Sequence, residues 1–286
     1  MKFNIQLLQK FMLPVALVVF PFCTTLAQQH GLENIIVEKY YVSDAADAAA
    51  SKGGKLPVGS VTYRVFVDML PGYFFQAAYG VPGHFLRIAT TTTFFNNEEY
   101  GASIANDIPK SKLGENSVML DSWISVGAGS AANFGIPKTD DNGKGTMVNA
   151  DHLLKNADPS AGIPLTVQDG LLAASPVPAA NFFGIDSVKL LMFGNTNSTA
   201  KGQVFTTDNG SWACMGGAAG PNAENKVLIG QFTTDGDFSF ALNIQIGTPA
   251  GTVENYVAEK PMEAEIRLPC MTYFSKSMVH SMKLKN

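Results

Sequence analysis

The clearest pattern along the chain is a strict two-residue alternation from Phe238 to Ile246. Phe238, Phe240, Leu242, Ile244 and Ile246 fall on one face, and Ser239, Ala241, Asn243 and Gln245 on the other. That period belongs to a strand with one face in a core and one in water. Just upstream, residues 226–234 carry Val227 and Ile229 on one face, Leu228 and Phe232 on the other. Asp235-Gly236 between the two runs suits the positive backbone angles of a tight turn. The pattern therefore predicts a hairpin of 226–234 against 238–246.

Val61, Tyr63, Val65, Val67 and Met69 alternate with Thr62, Arg64, Phe66 and Asp68, a second strand. Val118, Leu120, Ile124 and Val126 alternate with Met119, Asp121, Trp123 and Ser125, a third. Weaker strand signals cover 74–79, 85–95, 188–193, 204–206 and 264–268, punctuated by Pro71-Gly72, Pro82-Gly83 and Gly220-Pro221. Helix signals are few: Ser43 as a cap for an alanine-rich turn through Ala50, and Asn149 to Asn156. Many short strands between Gly and Pro turns give an all-β fold. The expectation is a β-sandwich, jelly-roll-like or immunoglobulin-like, with short helical turns. Residues 139–178 lack a period and read as a long irregular central loop. One domain over 28–258 is expected, followed by a C-terminal strand and basic tail over 259–286.

The start of the chain changes the picture from fold to address. Lys2 and Lys10 flank an apolar stretch, Phe11 to Phe22, and Thr25-Leu26-Ala27 offers a small-residue cleavage site before Gln28. This is the layout of a secretory signal, residues 1–27, too short for a comfortable membrane span. Cys23 follows Phe20-Pro21-Phe22, whereas a lipoprotein cysteine needs small residues ahead of it, so ordinary cleavage is expected. The protein is expected to be secreted or at the cell surface, with the periplasm open, and without membrane insertion after cleavage. The chain carries 20 basic and 24 acidic residues, scattered, which argues against a nucleic-acid partner. Beyond the signal only Cys214 and Cys270 remain. In an oxidising compartment they can close one disulfide or stand as two buried thiols.

Several segments together resemble an exported β-rich domain of unassigned function, found in secreted and surface proteins of Bacteroidota. They are V-T-Y-R-V-F-V-D-M at 61–69, Q-A-A-Y-G at 76–80 and T-F-F-N-N-E at 93–98. Further on come D-S-W-I-S-V-G at 121–127, D-N-G-S-W at 208–212, K-V-L-I-G-Q-F-T-T at 226–234 and F-A-L-N-I-Q-I at 240–246. The resemblance covers roughly residues 31–258 and implies export and a β-rich fold. It supplies no catalytic residues. The strand signatures of a type IX sorting domain are not found in 259–286.

Candidate chemistry is thin. His30, His84, His152 and His280 are scattered and read as solvated surface histidines. Gly127-Ala128-Gly129-Ser130 does not fit a nucleophile elbow. Asp68, Glu98, Glu99, Asp121 and Asp208 supply carboxylates from which a glycan-active hydrolase or lyase would draw its pair. Asp140, Asn142, Asp235 and Asp237 place oxygen ligands at turns, so calcium is the one cofactor offered, although turn chemistry explains the same strings. Trp123, with Asp121 on its polar-looking face, and Trp212 are the candidate ligand-binding rings, set against ordinary core packing. The expected function is a non-enzymatic exported module for binding, adhesion or surface structure, with a glycan or surface protein as partner.

Overall fold

The computed structural model describes residues 30–51, 54–115, 117–140, 170–173, 177–194 and 203–275. The signal, the turn expected at Asn149 to Asn156, Asn142, His152, His280 and the basic tail lie outside these residues. In chain order the strands are β1 Leu32–Val42, β2 Val61–Met69, β3 Phe74–Gly80 and β4 Leu86–Thr90. Four short ones follow: β5 Trp123–Ile124, β6 Ala128–Ser130, β7 Asn133–Gly135 and β8 Leu171–Ala173. Then come β9 Asn181–Phe183, β10 Val204–Thr207, β11 Gly210–Ala218 and β12 Lys226–Thr234. The last are β13 Phe238–Ala241, β14 Ile244–Gly247, β15 Val253–Tyr256, β16 Glu265–Ile266 and β17 Thr272–Phe274.

These strands form an all-β sandwich. One layer is the antiparallel sheet β1-β2-β12-β5. The facing layer is a bent sheet in two halves, β10-β4-β13-β17 and β16-β15-β14-β3-β11-β9. Three long strands run through both halves and break at the same level. Residues 81–85 loop out between β3 and β4, Asp208-Asn209 separate β10 from β11, and Leu242-Asn243 separate β13 from β14. Asn243 fills the gap. Its Nδ2 donates to the carbonyls of Tyr79 (3.0 Å) and His84 (3.1 Å), and its Oδ1 accepts from Ala258 N (3.0 Å). That explains why a residue on the wet-looking face is buried: it replaces the backbone bonds that the break interrupts.

The hairpin expected of 226–234 and 238–246 does not form. β12 pairs with β2 and β5 in the first layer, whereas β13 pairs with β4 and β17 in the second. The turn Asp235-Gly236 carries the chain across the core instead. Gly236 is not at positive φ. Its Cα faces three threonines, and an added Cβ would meet the Oγ1 atoms of Thr92, Thr90 and Thr91 at 2.6–2.7 Å. A bulge between Leu228 and Gly230 also resets the alternation in β12. Phe232 therefore joins Val227 and Ile229 in one core, and Leu228 lies in another.

Two cores flank the first sheet. Between the layers lies a cluster of rings: Tyr63 stacks on Phe238 at 4.9 Å, Phe238 on Phe232 at 5.3 Å, and Phe94 meets Phe193 edge-on at 5.4 Å. On the outer face, Phe66, Leu228, Tyr40 and Trp123 are covered by 3-10 turns and by the small sheet β6-β7-β8. With both faces covered, β2 is buried at every position except Asp68.

Three further expectations change. Residues 118–126 form a 3-10 turn, Val118–Leu120, followed by the two-residue β5. Residues 188–193 are helical, with α2 at Ser187–Leu190 capped by Asp186 and a 3-10 turn at Leu191–Phe193. The cap of the alanine-rich helix α1, Ala45–Ala50, is Asp44 rather than Ser43, because Asp44 and Asp47 form a reciprocal capping box. The strand expected within 264–268 appears as β16, and β17 pairs with β13 at the sheet edge.

Candidate functional site

The two tryptophans are core residues, which corrects their candidacy as ligand-binding rings. Trp123 is 2% exposed and Trp212 fully buried. The polar-looking face of Trp123 is dry because its polar groups are spent internally. Asp121 accepts from the backbone N–H of Asn97 and Ala102 (both 2.8 Å), and Ser125 donates to Ala128 O. Burial pushes the Asp121 carboxyl well up, against the pull of these donors. Trp212 donates from Nε1 to Ser125 O at 3.0 Å.

Of the two alternatives for Cys214 on β11 and Cys270 in the turn before β17, the structure has two free, half-buried thiols, and burial pushes both up. Asp140 is held by Lys226 Nζ at 3.1 Å. Asp68 lies by the same lysine, with burial raising its carboxyl. Asp235 accepts from Thr92 Oγ1 at 2.6 Å, and Asp237 N donates to Thr91 Oγ1. Among the described residues no three His, Cys, Asp or Glu side chains gather in a metal-binding group.

His84 is not a solvated surface histidine. It is 4% exposed, and its Nδ1 lies 3.1 Å from Glu259 O. A carbonyl only accepts, so Nδ1 carries the hydrogen. Nε2 lies 3.0 Å from Glu265 Oε2, within ion-pair range but out of line for a hydrogen bond. The imidazole thus ties the 81–85 excursion to residues 259–265.

Around it opens a cleft of ≈140 Å³, lined by His84, Phe85, Arg87, Asn243, Ala258 and Glu259. The strand break builds it: the excursion lifts Phe85 away from the sheet, leaving the residue 59% exposed while Leu86 and Ile88 enter the core. Arg87 and Glu259 are exposed beside it. An apolar ring flanked by a cation, a carboxylate and backbone oxygens matches the surface of a sugar, with one C–H face and polar edges. Sequence reading missed Phe85, although its phase was a signal: it shares a face with Arg87, opposite Leu86 and Ile88.

A second cleft, of ≈200 Å³, opens beyond the other end of β4, lined by Lys55, Ser60, Thr92, Thr93, Thr234 and Asp235. The fold and these clefts define an all-β sandwich with two surface depressions, one mixed and one polar. Comparison with family models, with curated proteins and with solved structures finds no match. Among the described residues no helix is long and apolar enough to cross a membrane.

Proposed function

We propose that the protein is an exported β-sandwich that acts by binding a saccharide, with Phe85 as the stacking platform and Arg87 and Glu259 as hydroxyl partners. The observation that carries this reading is the ring of Phe85, more than half exposed at the lip of a cleft that also presents both charges. A lone ring of this size in water is unfavourable, and its cost is recovered when a sugar face covers it. Asp121 is not available for glycan cleavage, since both its oxygens are already held by backbone N–H groups.

The test is a thermal-shift screen of the protein and of Phe85→Ala against soluble glycans. A ligand at 100 times its Kd adds about 2.7 kcal/mol of stability. At roughly 2–4 °C per kcal/mol, the melting temperature should rise by several degrees. Phe85→Ala should abolish the shift while leaving the unliganded melting point nearly unchanged. No shift with any glycan, or an equal shift in the variant, would sink the reading.

A further inference from the structure

The second cleft has a different chemistry, and its ligand follows from charge and not from a ring. Phe95, the one aromatic residue lining it, is only 3% exposed, so no stacking platform is presented. Among the described residues, the cleft instead carries one cation and one anion. Lys55 is exposed and makes no ion pair with any described residue. The loop that bears it lies directly on Asn96: a Cβ at Gly54, whose φ is +62°, would stand 2.3 Å from the Asn96 carbonyl oxygen.

Asp235 is held in place from behind by ordered hydroxyls. A carboxylate only accepts, so Thr92 Oγ1 must donate to it (2.6 Å). Thr92 Oγ1 then accepts from Thr234 (3.0 Å), which accepts from Thr90 (2.6 Å). Three hydroxyls thus point the same way, each polarising the next toward the carboxylate. One Asp235 oxygen is used in this relay, and no described residue bonds the other.

We infer that this cleft binds a small zwitterion of the α-amino acid class. Its ammonium meets the open oxygen of Asp235 and its carboxylate meets Lys55. A neutral polyol could hydrogen-bond to both side chains but would neutralise neither charge, and a simple amine or acid would leave one of them unpaired. The size agrees: a cleft of ≈200 Å³ has room for a compact molecule of this class. This site stands apart from the Phe85 cleft and does not depend on its saccharide.

Isothermal titration calorimetry of the full chain with L-serine, ethylamine, acetate and glycerol decides it. Serine should bind, while the other three should neither bind at the same concentration nor displace it. Lys55→Met, a change on an exposed side chain that leaves the fold intact, should weaken serine at least tenfold, and Asp235→Asn should do the same. Absence of heat with serine, equal binding of glycerol, or serine affinity unchanged in Lys55→Met would overturn the inference.

Discussion

Both faces of the central strand pair β2-β12 are buried, but the inner face is held by rings while the outer face adds a set of buried polar groups. Toward the bent sheet, Tyr63, Phe232 and Phe238 interlock as rings. Toward the outer layer, the same two central strands present Arg64, Gln231, Thr62 and Thr233, all at most 1% exposed. There the contacts are directional. Arg64 Nε donates to Gln231 Oε1 at 2.9 Å, Gln231 Nε2 donates to the carbonyls of Met119 and Asp121, and Thr62 meets Thr233 at 2.7 Å. The guanidinium also lies 3.5 Å from the centroid of the Tyr40 ring. Rings supply most of the burial energy and tolerate small shifts, whereas a buried polar group left unpaired is costly. One face holds the layers together, and the other fixes which loop lies over which strand.

The largest effect should come from the ring face. Phe238→Ala empties the centre of the ring cluster and should cost about 3–5 kcal/mol in urea unfolding. Should it cost no more than a polar-face change, the contrast fails. Asp121→Ala comes next: it strands two backbone N–H groups, and at the lower half of the range of about 1–3 kcal/mol for each buried group left unmade, a loss near 2–4 kcal/mol is expected by the same assay. A smaller loss with unchanged spectra would mean that water replaces the carboxylate.

The acid-range pH dependence should belong to the outer layer. Asp47, 2% exposed in α1, has its pKa pushed up to about 6 by burial, from an ordinary 3.8. Because the folded-state value is the higher one, its stability contribution is complete below pH 3.8 and is lost as pH rises through 6. At about 1.4 kcal/mol per pH unit the full effect is on the order of 2–3 kcal/mol. Asp47→Asn keeps an acceptor for Asp44 N, and should flatten that part of the stability–pH curve and raise stability at pH 7. An unaltered slope would place the titration elsewhere. Smallest of all, Thr62→Val should cost about 1 kcal/mol by leaving Thr233 unpaired, and adding Thr233→Val should recover most of it. Simple additivity in that double-mutant cycle would show that the hydroxyl pair does not act as a unit.

The same contrast explains what could be read in the sequence. The bounds of β2 and β12 are legible because each is a run of strand-favouring residues. That Arg64 and Thr62 are buried was not legible, because alternation reports polarity and not exposure, and the 3-10 layer that covers them comes from residues far along the chain. The hairpin failed for a related reason. Asp235-Gly236 looks like a local turn, but the partners of β12 are β2 and β5, and nothing in residues 226–246 names them. At the candidate sites, Asp235 was visible as a turn acid, while its orientation by Thr92 and Thr234 depends on two distant segments meeting. Trp123 and Trp212 stood out by rarity, which does not indicate exposure.

The pairing of β2 with β12 has a consequence for the order in which the structure can arise. Thr62 and Thr233 are 171 positions apart, and the strand that completes the central pair begins only at Lys226. A chain emerging from its N-terminal end can align β1 with β2 early, but Tyr63, Val65 and Val67 stay without their main neighbours until residues 226–234 have appeared. Such long-range closure is slow and late. The central pair can therefore close only once β12 has been made.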